Sequence, residues 1–496
     1  MLDNFVIGML SRIVNQKQGR KLLVRKLDKY VYKSFVTDCP DTLPAVQVKK
    51  YQYISAILHT VLHNIDRGYI SQKVIKSLID VFVKNALMQN THENMQSGVN
   101  FREKYGIAPP GFLVLSPTQR CNLSCIGCYA SSNAETATYL PYPILEKILR
   151  ENHDVFGSRF MTISGGEPFM YRDRQTGQTL LDLFEEFNDT FFLVYTNGTL
   201  ITKEIAKRLE DLGNATPAIS VEGYEEQTDE RRGKGVYKRI LQSMENLRQA
   251  GVPFGISITS TSKNADILLT DEFYDYYFED LGASYMWQFQ LMPIGRAEDL
   301  LTLMVQPEQR IQLFKKWEYL LEEKKYPLAD FWNSGVLSNG CIAYGRAGGY
   351  LYIDWNGNIM PCVFVPYYVD NIYDLYKNGK TITDALFSKF MVNGRKWQDE
   401  YGYAHRNRPN NWLLPCSIRD HYANFRRSIL TDDAKPEDPS AAKILHDENY
   451  FKTLNEYDKK LEELTLPIWR EEYLGWVAQD ERPRRAEEKE KISELV

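Results

Sequence analysis

Three cysteines in the run Cys121-Asn122-Leu123-Ser124-Cys125-Ile126-Gly127-Cys128 constrain this chain more than any other feature. Thiols this close in one stretch point to metal or redox chemistry rather than packing. A CxxxCxxC run can hold three corners of a cubane iron–sulfur cluster and leave the fourth iron without a protein ligand. An open iron is where a small molecule can bind and be reduced. Two other readings compete. A zinc site wants a fourth ligand nearby, and the next histidine, His153, is far outside finger spacing. Structural thiols or disulfides fit poorly with only 7 cysteines in 496 residues.

Further on, Phe160-Met161-Thr162-Ile163-Ser164 reads as a buried strand that runs into Gly165-Gly166-Glu167-Pro168. Paired glycines let a ligand approach the backbone; read blandly, they end a strand in a turn. Behind CxxxCxxC, this motif resembles the radical S-adenosylmethionine (SAM) superfamily. The resemblance implies that Cys121, Cys125 and Cys128 bind a [4Fe–4S] cluster. It also implies that the strand end Gly165, Gly166, Glu167 and Pro168 contacts the amino group of SAM. The family usually has an aromatic residue just before the third cysteine. Here Gly127 stands there and Tyr129 follows, which changes packing and removes no ligand.

More of the pattern follows in order. Phe191-Phe192-Leu193-Val194-Tyr195 is an apolar strand ending in Thr196-Asn197-Gly198-Thr199, which puts Asn197 among the cofactor-binding candidates. Ala218-Ile219-Ser220-Val221-Glu222-Gly223 resembles the ribose-contacting strand, with Ser220 and Glu222 on the sugar of SAM. The bland reading of Glu222 is a solvated acid at a strand end. Arg231 or Arg232 suits the SAM carboxylate as a bidentate partner, or belongs to a surface charge run. Phe254–Ile258 and Trp287–Leu291 complete the strands, and Ser257 and Gln290 are either pocket residues or plain strand polar groups.

These strands alternate with residues 140–152, 203–212 and 237–250, which show helical apolar spacing. Strand–helix alternation implies parallel βα units with right-handed crossovers. The expected fold class is α/β: a partial (β/α)6 radical SAM barrel with chemistry at the carboxyl ends of its strands. A helical N-terminal segment precedes it, and a small SPASM/twitch-like domain follows. The expected divisions are 1–100, 108–305, 306–430 and a charged helical tail, 431–496.

The second cysteine set is Cys341, Cys362 and Cys416. Residues 350–353 and 358–362 flank Asp354-Trp355-Asn356-Gly357, a hairpin signal. The Cys341, Gly357 and Cys362 spacing resembles the start of a SPASM or twitch domain, which implies an auxiliary [4Fe–4S] cluster. The later run of close cysteines typical of a full SPASM domain is missing, and Cys416 stands alone in Pro415-Cys416-Ser417-Ile418-Arg419-Asp420-His421. His421, Asp420, His405 or no residue is the fourth ligand. Zinc and plain buried thiols are the rivals.

The N-terminal segment places Leu2, Phe5, Val6, Met9, Leu10, Ile13 and Val14 on one helical face, followed by Lys17, Arg20, Lys21, Arg25 and Lys26. This is either a helix docked on the barrel or one resting peripherally on a membrane surface. Helices are also expected over 46–63 and 71–90; His59 and His63 are read as ordinary helix residues and Cys39 as a lone structural thiol. Residues 432–443 have linker composition, 448–463 are helical and polar, and 479–496 are expected to fray. A net charge of −5 argues against nucleic acid as a partner. Cysteine usage fits a reducing cytoplasm, and no apolar run is long enough for a membrane span or a signal peptide.

The resemblance implies reductive cleavage of SAM to a 5′-deoxyadenosyl radical that abstracts hydrogen from an unactivated carbon. A low-potential donor such as ferredoxin or flavodoxin would supply the electron. The substrate classes in play are a lipid, on architecture alone, and a peptide or small metabolite. Two alternatives of another class are an electron-transfer protein with two clusters and no SAM chemistry, and a zinc-bound scaffold.

Overall fold

The structure, a computed structural model, describes residues 20–38, 43–87, 92–403 and 409–475, together with Gly8 and Arg12. Its centre is a parallel sheet. The strands are β1 (Phe112–Leu115), β2 (Phe160–Ile163), β3 (Phe191–Thr196), β4 (Ala215–Val221), β5 (Gly255–Ser260) and β6 (Tyr285–Gln290). They pair side by side in chain order. Parallel neighbours need a long crossover, which the helices Tyr142–Arg150, Leu180–Glu186, Lys203–Leu212 and Val236–Ala250 supply. With both faces covered, these strands can be apolar throughout, and five of the six residues of β3 are buried. Local chemistry sets the helix ends. Thr202 Oγ1 accepts from Ile205 N at 3.3 Å to start Lys203–Leu212, and Gly213 at a φ of 72° stops it.

Strands from beyond residue 305 join the same sheet. β7 (Leu328–Asp330) pairs parallel to β6, and β8 (Tyr350–Ile353) pairs parallel to β1. β9 (Asn358–Met360) returns antiparallel to β8 through Gly357, at a φ of 80°. The expected hairpin is therefore present but not free-standing. It extends a sheet that reaches ten strands, and the division expected at residue 305 falls inside that sheet.

The described residues ahead of β1 are mostly helical: Arg20–Tyr32, Pro44–Asp66, Gln72–Ser77 running on into Leu78–Leu87, and His92–Tyr105. They cover the amino ends of the strands. Phe82 packs 4.7 Å from Phe191, Ser71 N donates to Gly251 O at 2.9 Å, and Asn64 Nδ2 donates to Gly282 O at 3.0 Å. His59 pairs with Asp28 and His63 with Glu279. The apolar positions from Leu2 to Val14, together with Lys17, Cys39, His405 and residues 479–496, lie outside the described residues.

The last described α-helix, Glu448–Ile468, corrects the polar reading of that stretch. Tyr450, Leu454, Tyr457, Leu461 and Thr465 form a buried stripe at helical spacing. Tyr457 Oη donates to Val305 O at 3.0 Å. The expected linker over 432–443 holds the short helix Pro439–Ile444, and Lys435–Pro436 pairs with Tyr367–Tyr368. Among the described residues no helix is long and apolar enough to cross a membrane.

Candidate active site

The cysteine loop leaves the carboxyl end of β1 and is pinned by main-chain bonds to its neighbours. Gly166 N donates to Thr118 O at 2.9 Å and Glu167 N to Arg120 O at 2.8 Å. Ile126 N donates to Arg231 O at 2.9 Å, and Arg296 N to Cys128 O at 3.1 Å. The Arg296 guanidinium closes the far side, donating to Cys125 O at 3.1 Å and Ser132 O at 2.7 Å. A Cβ on Gly166 would stand 2.3 Å from Arg120 O. The glycines thus admit the loop's own backbone, a role their sequence context did not announce.

Cys121 is buried, and its Sγ accepts from Leu123 N at 3.4 Å and from Asn197 Nδ2 at 3.7 Å. Burial pushes the Cys121 thiol up to about 12, so a bound cation is what would turn it into a thiolate ligand. Among the described residues no three His, Cys, Asp or Glu side chains converge on a single metal-ion position. The thiolates of a cubane sit on separate irons and need no such convergence. Three closely spaced thiols are the donor set that a cubane takes on three of its irons.

Glu167 and Glu222 prove to be internal braces. The fully buried Glu167 carboxylate accepts from Thr196 Oγ1 at 2.7 Å, Asn197 N at 2.8 Å and Phe169 N at 3.1 Å. It ties the end of β2 to the end of β3, and burial raises its pKa. Glu222 accepts from Arg232 Nε at 2.9 Å, from Arg231 and from Thr259 N at 3.1 Å. Two guanidiniums on one carboxylate leave a net positive charge beside Cys125 and Cys128. Burial opposes the Arg232 charge, but the Glu222 carboxylate beside it holds its pKa up.

A cavity of about 390 Å³ opens on the loop. It brings Cys121, Cys125 and Cys128 together with Gly165, Gly166, Asn197, Ser220, Arg231, Arg232, Ser257 and Gln290, whereas Glu167, Pro168 and Glu222 stand outside its lining. The sequence reading missed its aromatic wall. Trp287 and Phe289 of β6 stack at 6.4 Å, Phe331 lies 5.4 Å from Phe289, and Phe364 lies 5.6 Å from Phe331. Alternation along β6 was the available signal, because Trp287 and Phe289 share one face. The charged residues lining the cavity are Arg231, Arg232 and Arg296, all bonded to the cysteine loop or to Glu222 beside it.

Cys341, Cys362 and Cys416 share one neighbourhood, since the buried Tyr344 lies within electrostatic reach of all three. Cys362 follows β9, and Tyr350 Oη donates to its Sγ at 2.9 Å. Burial pushes the Cys362 thiol up to about 12. Two of the expected fourth ligands are engaged elsewhere. Asp420 binds Arg310 Nη1 at 2.6 Å and Cys416 N at 3.1 Å. His421 Nε2 faces Leu414 O at 3.0 Å, with its ring 4.7 Å from Tyr401.

Residues 115–262 match the model of the Radical SAM superfamily. Those residues form a radical SAM region, the part of an enzyme of a class that uses a [4Fe–4S] cluster and SAM. The chain is similar to the Fe-coproporphyrin III synthase of Methanosarcina barkeri, at 31% identity over 153 residues, 31% of this chain and 37% of that one. The match thus spans little more than a third of that relative. The AdoMet-dependent heme synthase of Oleidesulfovibrio alaskensis is 26% identical over 293 residues, 52% of this chain and 70% of that one. The mycofactocin maturase MftC of Mycolicibacterium smegmatis is 29% identical over 356 residues, 67% and 83% of the two chains.

Proposed function

We propose that this enzyme takes hydrogen from an unactivated carbon of an apolar substrate, with a lipid hydrocarbon chain as the class that fits best. The aromatic wall carries this reading: Trp287, Phe289, Phe331 and Phe364 line the same cavity as the thiols. Cys121, Cys125 and Cys128 hold the cluster. The strand end at Gly165 and Gly166 receives the amino group of SAM, Ser220 its ribose and Arg231 or Arg232 its carboxylate, while Asn197 steadies the Cys121 sulfur. Glu167 and Glu222 act behind them by fixing strand ends and guanidiniums. Bound there, the cluster and SAM would supply the one-electron reductive chemistry that yields a hydrogen-abstracting radical from SAM. The protein's own part is placement and exclusion of water.

In this reading β1–β6 are a partial (β/α)6 barrel, and β8, β9 and the loop to Cys416 are a twitch-like region. Cys341, Cys362 and Cys416 hold an auxiliary [4Fe–4S] cluster with no fourth ligand among the described residues. A ferredoxin or flavodoxin in the cytoplasm supplies electrons. The match to a maturase over most of its length favours a second reading, a peptide or small-metabolite substrate.

The test is 5′-deoxyadenosine release by the anaerobically reconstituted enzyme, with lipids carrying deuterated chains in one arm and a soluble peptide and metabolite pool in the other. Deuterium in the 5′-deoxyadenosine of the lipid arm is the expected result. Stimulation by the soluble pool alone would replace the lipid reading with the second one.

A further inference from the structure

Arg20–Tyr32 is a surface helix with two unlike faces. Val24, Leu27 and Val31 are buried and pack with Leu62 of the helix Pro44–Asp66. Leu22, Arg25, Lys26, Lys29 and, just past the helix end, Lys33 are all exposed. At helical periodicity these five fall within an arc of about 100°. The acid of this helix, Asp28, turns inward, where it accepts from Ser55 Oγ at 2.7 Å and pairs with His59 Nε2 at 2.9 Å. Among the described residues no carboxylate pairs with Arg25, Lys26 or Lys29, and the exposed Lys33 has Asp38 at 3.9 Å. The chain as a whole carries −5, so this cationic face is a local choice rather than a reflection of bulk composition.

We infer that this face docks on an anionic phospholipid surface. Each cation close to such a surface contributes roughly 1 kcal/mol, about fivefold in partitioning. At one end of the face Leu22 is 58% exposed. Ahead of it the sequence carries the apolar positions Leu2, Phe5, Val6, Met9, Leu10, Ile13 and Val14. An exposed leucine beside a row of cations suits the boundary between headgroups and acyl chains. A face for nucleic-acid strands would instead combine its cations with aromatic stacking groups, and Leu22, Arg25, Lys26, Lys29 and Lys33 include none. The inference stands whether or not the substrate is a lipid.

The test is co-sedimentation of the full chain with vesicles of phosphatidylglycerol and phosphatidylcholine in equal parts, against phosphatidylcholine alone. We expect sedimentation with the anionic vesicles, loss of it at high salt, and a drop of roughly a hundredfold in the variant Arg25→Gln/Lys26→Gln/Lys29→Gln. Unchanged SAM cleavage by that variant checks its fold. The exposed substitution Leu22→Ser, expected to weaken partitioning severalfold, tests the face without touching charge. Absent sedimentation, equal sedimentation with neutral vesicles, or sedimentation that neither variant alters would each overturn the inference. So would tighter binding of single-stranded RNA than of anionic vesicles at the same salt.

Discussion

Replacing Gly166 with alanine should unseat the cysteine loop without unfolding the protein. The new methyl carbon would meet Arg120 O at 2.3 Å and Gln119 O at 2.4 Å. Both are main-chain atoms, so no side chain can swing aside. Reaching an ordinary non-bonded separation of roughly 3.5 Å requires the loop to retreat by about 1 Å. That retreat strains the bonds from Gly166 N to Thr118 O and from Glu167 N to Arg120 O, at about 1 kcal/mol each. The cost is a small part of the stability of a chain this size. The displacement acts on function, because a misplacement of about 1 Å at a reacting centre costs ~100-fold in rate. Iron and sulfide content, the thermal midpoint and the rate of 5′-deoxyadenosine release are the measurements. A near-normal midpoint with SAM cleavage reduced about a hundredfold is expected. Gly98→Ala, with nothing within 4 Å of its added carbon, is the silent control. Cleavage within twofold of the parent in Gly166→Ala would refute the idea that these glycines exist to seat the loop.

Other perturbations separate the sites. Cys125→Ala should abolish SAM cleavage, whereas Cys341→Ala/Cys362→Ala/Cys416→Ala should lose about four irons per chain, the content of one cubane, and keep the SAM-binding cluster; iron analysis and electron paramagnetic resonance decide. Arg310→Met strands the buried Asp420 carboxylate and should cost about 3–5 kcal/mol in urea denaturation, much of it recovered in Arg310→Met/Asp420→Leu. Burial pushes the Asp458 carboxyl up to about 8. The folded chain then keeps a proton that the unfolded chain has released, so stability falls between about pH 4 and pH 8 by at most ~1.4 kcal/mol per unit. Asp458→Asn should flatten that decline, and an unchanged slope would show that the group does not titrate there.

The strands of the sheet were legible because each is an apolar run between glycines, prolines or polar turns. Phe191–Tyr195 was read one residue short of β3, and 203–212 coincides with the helix Lys203–Leu212. The thiol triplet was legible because its ligands are neighbours in sequence. The pairing of β8 with β1 was not, because a hairpin reads the same whether it stands alone or docks on a strand far away in the chain. β7 has three residues, too few for a pattern. The inward turn of Glu167 was hidden for another reason. A Gly-Gly-Glu-Pro run looks like an exposed turn until β3 supplies Thr196 and Asn197 as partners.

The docking of β8 against β1 and β7 against β6 has a consequence for how this chain can be divided. Cutting it after residue 305 would strip both margins of the central sheet and leave two rows of main-chain donors and acceptors open to other molecules. Such edges recruit copies of themselves. The fragment should therefore precipitate rather than survive as a smaller enzyme. A lineage that lost the second cysteine set would be expected to keep its strands as edge guards, with the thiols replaced and the polypeptide retained.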